Sequence, residues 1–133
     1  MKSIQTPFYE VHFGRHAATT LKTYLEKSNF TKVVVIVDCN TKKHCLPHFL
    51  KNNTDLKLEI IEIPVGESHK NIQSCLLVWR QLSVLEIDRN SLVINLGGGV
   101  VTDLGGFVAA TFKRGLKFIN IPTSLLAMVD ASV

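Results

Sequence analysis

Residues 33–37 read Val-Val-Val-Ile-Val, and this unbroken β-branched run restricts the fold more than any other feature of the sequence. A strand with one face in water alternates apolar and polar residues, whereas a strand covered on both faces can be apolar throughout. Both faces are covered when helices pack above and below a parallel sheet. The run therefore predicts an interior strand of such a sheet.

The remaining sequence alternates between strand-like and helix-like segments. Further strands are predicted over 9–13, 57–63, 91–96 and 116–121, and helices over 16–27, 40–50, 69–85, 101–112 and from 123 onward. Pro47 should break the second helix or open a new one. An apolar stripe is predicted on the third helix at Ile72, Leu76, Trp79 and Leu82. Because strands separated by helices pair in parallel through right-handed crossovers, the predicted class is α/β, a Rossmann-like sheet with helices on both faces.

Length and composition exclude several classes of protein. The 133 residues suit one domain, 1–133, and 46% apolar with 20% charged residues describes a globular chain. The net charge of +4 includes no block of five like charges, which argues against a nucleic-acid partner. No apolar run of about 18 residues indicates a membrane span, and no signal peptide is evident. Three cysteines without a Cys-x-x-Cys pair favour free thiols and a cytoplasmic location.

Three consecutive glycines, Gly97, Gly98 and Gly99, stand between a predicted buried strand and a predicted helix. Glycine permits positive φ and a close approach of the backbone to a ligand. The free N–H groups and the dipole of a helix amino end favour an anion, and a pyrophosphate suits both. The spacing is not Gly-x-Gly-x-x-Gly, so a tight turn without any ligand stays an alternative.

Polar residues follow two other predicted strands. Asp38, with Asn40 nearby, ends the 33–37 run, and its carboxylate can bind a ribose diol or serve as an ordinary turn residue. Glu67 and Lys70 stand at the mouth of the next helix. Their spacing allows an i,i+3 ion pair with a capping role only.

The last helices carry four more candidates. Asp103 can cap the helix after the glycines or contact a ligand, and Thr123 and Ser124 can cap the final helix or bind a ligand. Asp130 lies in an apolar stretch, where we expect a buried carboxylate that requires a cation, a donor or a ligand hydroxyl.

Taken together, these residues resemble the 3-dehydroquinate synthase family from about residue 33 to 133. The glycine triplet is shared with polyol dehydrogenases and other sugar-phosphate cyclases, whereas the final motif is specific. The matching motifs are Asp38-x-Asn40, Gly66-Glu67-x-x-Lys70, Gly97-Gly98-Gly99-x-x-x-Asp103, Lys113-Arg114-Gly115, and residues 121–130, in which Ser124 replaces the common threonine.

The resemblance implies roles for the matching positions. The adenosine side of NAD is expected at Asp38, Asn40, Glu67 and Lys70, and the pyrophosphate at Gly97, Gly98 and Gly99. Asp103 should face the nicotinamide side, and Thr123, Ser124 and Leu126 should line the cofactor. Substrate contacts are expected from Asp130 and from Arg114, the latter to a phosphate in a neighbouring subunit of a homodimer.

The resemblance also implies a reaction. The family is a carbon–oxygen lyase that converts 3-deoxy-D-arabino-heptulosonate 7-phosphate to 3-dehydroquinate and phosphate, in the shikimate pathway of aromatic amino acid biosynthesis. NAD⁺ takes up a hydride and returns it, and a divalent metal, zinc or cobalt, acts as a Lewis acid. The metal ligands of the family, a Glu and two His, belong to a C-terminal helical domain. We therefore expect a chain that stops before that domain, has no metal site and is inactive alone.

Three alternatives remain open beside the synthase. The first two are an NAD-dependent polyol dehydrogenase and another sugar-phosphate cyclase of the same superfamily. The third is a nucleotide-binding module without chemistry of its own. The stretch from Pro122 to Asp130 favours the synthase.

Overall fold

A computed structural model describes residues 1–53 and 55–133, and strands alternate with helices along it. The strands are β1 (Ser3–Gln5), β2 (Glu10–His12), β3 (Val33–Asp38), β4 (Leu58–Ile63), β5 (Leu92–Gly97) and β6 (Lys117–Pro122). The α-helices are α1 (Gly14–Lys27), α2 (Cys39–His44), α3 (Leu46–Asn52), α4 (Ile72–Val84) and α5 (Gly99–Thr111). Short 3₁₀ turns cover Glu67–His69 and Phe112–Arg114, and a π-helical segment covers Ala127–Ala131.

The central sheet has four strands in the order β4-β3-β5-β6, and every neighbouring pair is parallel. Val34, Val35, Ile36 and Val37 are fully buried, so both faces of β3 are covered. The prediction of an interior strand of a parallel sheet is confirmed.

Apolar layers lie on both faces of this sheet. On one face, Val34, Ile36 and Val93 pack with buried residues of α4 and α5. On the opposite face, Val35 and Ile94 pack with residues of α1 and α3. The predicted α/β architecture with helices on both faces is therefore confirmed.

Helix α4 presents a face to the core that matches the predicted stripe only in part. Leu82 is buried and Trp79 packs against the core, as predicted, whereas Ile72 and Leu76 are 51% and 43% exposed. Cys75 and Val78 are buried in their place, so the prediction was wrong for the first half of the stripe. Burial raises the pKa of the Cys75 thiol.

The ends of two helices show why they start and stop where they do. Pro47 stands in the first turn of α3, so the predicted break is confirmed. Helix α4 ends in a Schellman motif, in which Glu86 N donates to Ser83 O at 3.0 Å and Ile87 N donates to Leu82 O at 3.0 Å. Glu86 adopts the left-handed conformation, with φ 53°, that this motif requires.

Strand β2 does not join the central sheet. It pairs antiparallel with β1, which the sequence did not indicate because its three residues are too few for a clear alternation.

Along the described chain, no helix has both the length and the apolarity to cross a membrane. All three cysteines are free, as expected.

Candidate functional site

The glycine turn lies at the carboxyl end of β5. Gly97 ends the strand, Gly98 is the N-cap of α5, and Gly99 begins the helix. Thr123 N donates to Gly97 O at 2.9 Å, and a Cβ built on Gly98 would lie 3.4 Å from Ser124 Oγ. The structure therefore brings the glycines beside the start of the last helical segment.

The glycines serve close packing and not an unusual backbone conformation. Among the described residues, positive φ occurs at Gly14, Gly66 and Gly115, so the triplet does not use the positive φ that glycine permits. A Cβ on Gly97 would lie 2.5 Å from Val101 Cβ, because the strand turns directly into α5. Glycine is required there by the tight path of the chain.

The amino end of α5 remains available to a ligand. Among the described residues, no side chain forms a capping hydrogen bond at Gly98. The N–H groups of the first helical turn have no partner within the helix, and the dipole adds partial positive charge. This end of α5 is chemically suited to a phosphate group.

Lys70 connects two parts of the site. Its Nζ lies 2.6 Å from Asp103 Oδ2 and 3.3 Å from Glu67 Oε1. The hydrogen bond to Asp103 raises the pKa of Lys70, although burial opposes this change. The i,i+3 pair with Glu67 is confirmed, and the pair with Asp103 is a contact that the sequence did not predict.

Asp103 does not cap α5. The helix begins at Gly99, which places Asp103 in the second turn, beyond the free N–H groups. Capping was the wrong alternative for this residue, because helix α5 starts two residues earlier than predicted. A cavity of about 280 Å³ opens beside the Lys70–Asp103 pair, lined mainly by apolar side chains of α4 and α5.

Asp38 caps helix α2. Its Oδ1 accepts from Thr41 N at 2.8 Å and from Thr41 Oγ1 at 3.1 Å. The turn role is confirmed, and contact with a ribose stays a prediction that would use the other carboxylate oxygen. Asn40 lies in the first turn of α2 and is exposed.

The segment after β6 contains four of the predicted site residues. Ser124 Oγ accepts from Ala127 N at 3.3 Å, so its capping role is confirmed, while Thr123 is exposed. Leu126 is 66% exposed. Asp130 is also exposed, so the expectation of a buried carboxylate was wrong; of the π-helical residues, only Ala127 is buried.

Arg114 lies far from the glycine turn. It follows α5, whereas the glycines precede it, and 13 residues of helix separate the two ends by about 20 Å. Arg114 and Lys113 are both left-handed, with φ 70° and 46°. The structure therefore does not bring Arg114 and Asp130 together within one chain.

Sequence reasoning missed an amide pair below the glycine turn, between the buried Asn95 and the half-buried Asn120. Asn95 Nδ2 donates to Asn120 Oδ1 at 2.9 Å, and a Cβ on Gly105 would lie 2.5 Å from Asn95 Cγ. A polar residue within the apolar run of β5 was the available signal.

Among residues 1–53 and 55–133, no group of three or more His, Cys, Asp or Glu could hold a metal ion.

Comparisons with known proteins identify the family of this chain. The family model described as "3-dehydroquinate synthase N-terminal" matches residues 60–133. The chain is 42% identical over 113 residues to 3-dehydroquinate synthase of Parabacteroides distasonis, covering 85% of the chain and 32% of that protein. It is 38% identical over 130 residues to the synthase of Prochlorococcus marinus, covering 94% and 35%. The chain thus spans about a third of the length of these relatives.

Solved structures share the fold at lower identity. A 2-deoxy-scyllo-inosose synthase complexed with carbaglucose-6-phosphate, NAD⁺ and Co²⁺ aligns with TM-score 0.82 and 22% identity, over 97% of this chain and 37% of that one. Glycerol dehydrogenase from Schizosaccharomyces pombe aligns with TM-score 0.60 and 21% identity, over 82% and 26%. Because the family model matches more than half of its 133 residues, the chain belongs to the 3-dehydroquinate synthase N-terminal family.

Proposed function

We propose that this chain is the NAD-binding part of a 3-dehydroquinate synthase. The whole enzyme would convert 3-deoxy-D-arabino-heptulosonate 7-phosphate to 3-dehydroquinate and phosphate, as a homodimer in the cytoplasm. The observation that carries the proposal is the uncapped amino end of α5, with Gly98 facing Ser124. Membership of the family supports the choice of reaction.

The glycine turn would hold the diphosphate of NAD. Backbone N–H groups at the start of α5 donate to phosphate oxygens, and no side chain stands between them and the ligand at Gly97, Gly98 or Gly99. Ser124 Oγ already accepts from Ala127 N. Its own proton remains available to donate to a phosphate oxygen. The capping role and the proposed ligand role are therefore compatible.

Lys70 makes a carboxylate tolerable so near a diphosphate. An unpaired Asp103 would repel the phosphates, but its Oδ2 is neutralised by Lys70 Nζ at 2.6 Å. The second oxygen of Asp103 can then accept a hydrogen bond from a hydroxyl or an amide on the nicotinamide side. Lys70 and Glu67, which are expected on the adenosine side of NAD, would thus adjoin Asp103 on the nicotinamide side.

The remaining roles follow the carboxyl edge of the sheet. Strand β3 lies next to β5, so Asp38 and Asn40 at its end can reach the adenosine half of the same cofactor. Thr123 and Leu126 would line the cofactor, and Asp130 would contact substrate. Arg114, at the far end of α5, would reach the phosphate of a substrate bound by the partner subunit.

NAD⁺ supplies a hydride acceptor that also returns the hydride, and the residues above bind and orient it. The divalent metal of the family does not fit this chain's own residues, since no cluster of ligands occurs among those described. The metal ligands are expected in the C-terminal domain of the family.

Calorimetric titration of the chain with NAD⁺ tests the site. Gly98→Ala places a methyl group 3.4 Å from Ser124 Oγ, an ordinary contact in the protein, but fills the space where the diphosphate would lie. We expect this variant to fold normally and its Kd for NAD⁺ to rise at least about tenfold, equivalent to about 1.4 kcal/mol.

Gly106→Ala is the matched control, because it adds the same methyl group to α5 away from the turn, 3.6 Å from Phe118. Its affinity should equal that of the parent chain. Equal affinity of the Gly98→Ala variant, or no binding of NAD⁺ by the parent at millimolar concentration, would refute the proposed site.

A polypeptide that joins this chain to the metal-binding domain of the family tests the reaction. It should release phosphate from the heptulosonate only with NAD⁺ and a divalent metal, without net accumulation of NADH. Net NADH formed from a polyol would instead identify a dehydrogenase. If neither phosphate nor NADH were formed, the chain would be better described as a nucleotide-binding module without chemistry of its own.

A further inference from the structure

A second cavity lies at the opposite edge of the sheet from the glycine turn. It has a volume of about 340 Å³ and is bounded by the end of α1, the loop before β3, the turn before β5 and the start of β6. Tyr24, Phe30, Arg89 and Lys117 are among its lining residues. None of the residues assigned to NAD or substrate lines it.

The lining of the cavity carries net positive charge. Arg89 and Lys117 line it, and among the described residues neither takes part in a salt bridge. The other lining residues are polar or aromatic. The carboxylate of Asp88 lies in the adjoining turn, where its Oδ1 accepts three hydrogen bonds, so the two lining cations still favour an anionic ligand.

One wall of the cavity is aromatic. The rings of Tyr24 and Phe30 lie with centroids 5.8 Å apart and planes tilted by 58°. Phe30 packs against the apolar layer between α1 and the sheet, which holds its ring in place. The two tilted rings form an apolar corner, against which one aromatic group can pack.

The turn that carries the lining residues Arg89 and Asn90 is held by hydrogen bonds. Asp88 Oδ1 accepts from Thr31 Oγ1 at 2.5 Å, from Asn90 N at 2.9 Å and from Ser91 Oγ at 3.0 Å. Thr31 N also donates to Asn90 O at 3.2 Å. These bonds join the loop before β3 to the turn before β5, so the cavity is organised before any ligand arrives.

The carboxyl end of α1 affects where an anionic group is favoured in the cavity. Helix α1 ends here, and its terminal carbonyls carry partial negative charge, only partly offset by Lys27 in the last turn. An anionic group is therefore favoured beside Arg89 and Lys117, away from the helix end, with an apolar ring beside Tyr24.

We propose that this cavity binds a small organic anion with one planar ring, the charge between Arg89 and Lys117 and the ring on Tyr24 and Phe30. The volume lies at the lower end of the range for ligand pockets, which fits one ring and one anionic group. This site is independent of the proposed NAD site, because the two lie at opposite ends of the strands.

Phenyl phosphate is the probe, followed by ¹H–¹⁵N NMR titration of the chain. We expect shifts confined to the amides of residues 28–30, 89–90 and 117. Arg89→Gln and Lys117→Gln should each raise Kd about fivefold, as expected for one exposed charge contact. Tyr24→Leu should weaken phenyl phosphate but leave the weaker binding of inorganic phosphate unchanged.

Lys43→Gln, which removes an exposed charge from α2, is the matched control and should leave Kd unchanged. Inorganic phosphate or benzyl alcohol binding as tightly as phenyl phosphate would overturn the proposed ligand class. Shifts centred on residues 97–99, or an unchanged Kd in the Arg89 and Lys117 variants, would overturn the site itself. NAD⁺ titration reads the other edge of the sheet, so the two proposals fail separately.

Discussion

Replacement of Gly105 by alanine tests the packing of α5 on the sheet. A Cβ at this position would lie 2.5 Å from Asn95 Cγ and 3.0 Å from Asn95 Nδ2, closer than real side chains approach. Asn95 cannot move aside easily, because it is fully buried and its Nδ2 bonds to Asn120 Oδ1 at 2.9 Å. Either α5 shifts away from the sheet or the amide pair breaks.

Opposing free-energy terms decide the outcome. Alanine in place of glycine favours a helix by about 1 kcal/mol. Overpacking of a core costs about 1–3 kcal/mol. A buried amide that loses its partner costs about 1–3 kcal/mol more. These terms sum to an expected fall in the free energy of unfolding of about 1–5 kcal/mol, with a decrease in Tm of about 4–18 °C.

Urea denaturation followed by circular dichroism measures this difference. Gly106→Ala is the control, since its Cβ would meet Phe118 at 3.6 Å, and it should be neutral or stabilising by up to about 1 kcal/mol. In an Asn95→Ala background the Gly105→Ala change should become far less harmful, with a coupling energy above about 1 kcal/mol. Additive effects of the two changes, or a Gly105→Ala variant as stable as its parent, would refute the steric account.

Three further predictions concern the surface. Glu86→Gly should raise the free energy of unfolding by up to about 1 kcal/mol in urea denaturation, because Glu86 holds a left-handed φ of 53° at the end of α4; a decrease would contradict the strain. The hydrogen bond from Thr31 lowers the pKa of Asp88 below its ordinary value of 3.8, so this carboxylate stabilises the fold above that pH and the contribution is lost as the pH falls. Asp88→Asn should therefore flatten the loss of stability that occurs as the pH falls below about 4; an unchanged pH profile would count against this role. Lys70→Gln should lower the free energy of unfolding by less than about 1 kcal/mol, because the ion pair of Lys70 with Asp103 is partly exposed. In 1 M NaCl the difference in free energy of unfolding between variant and parent should become smaller. A difference that persists in salt would show that the effect is not electrostatic.

The sheet could be predicted because burial on both faces requires continuous apolar runs, as in 33–37, and these are visible in one sequence. The glycine turn and the polar residues at strand ends were visible for a related reason, since each directly follows such a run. The buried face of α4 could be predicted only in part, at Trp79 and Leu82. Apolar residues occupy more than half of its circumference, and only the approach of α5 decides which of them are covered.

Contacts between distant elements were also beyond the sequence. Lys70 precedes α4 and Asp103 lies within α5, and nothing in their spacing indicates a separation of 2.6 Å. The exposure of Asp130 follows from the few contacts of its segment, which an apolar neighbourhood in sequence does not reveal.

The amides of Asn95 and Asn120 have a consequence for how β5 and β6 find each other. They stand directly opposite in the register of the two strands. A shift of β6 by one residue would place Ile119 or Ile121 opposite Asn95. The amide of Asn95 would then lack a polar partner in an apolar interior. The amide pair therefore disfavours misaligned pairings of β5 and β6. The flanking apolar side chains are similar in size and shape and would hardly distinguish one alignment from another.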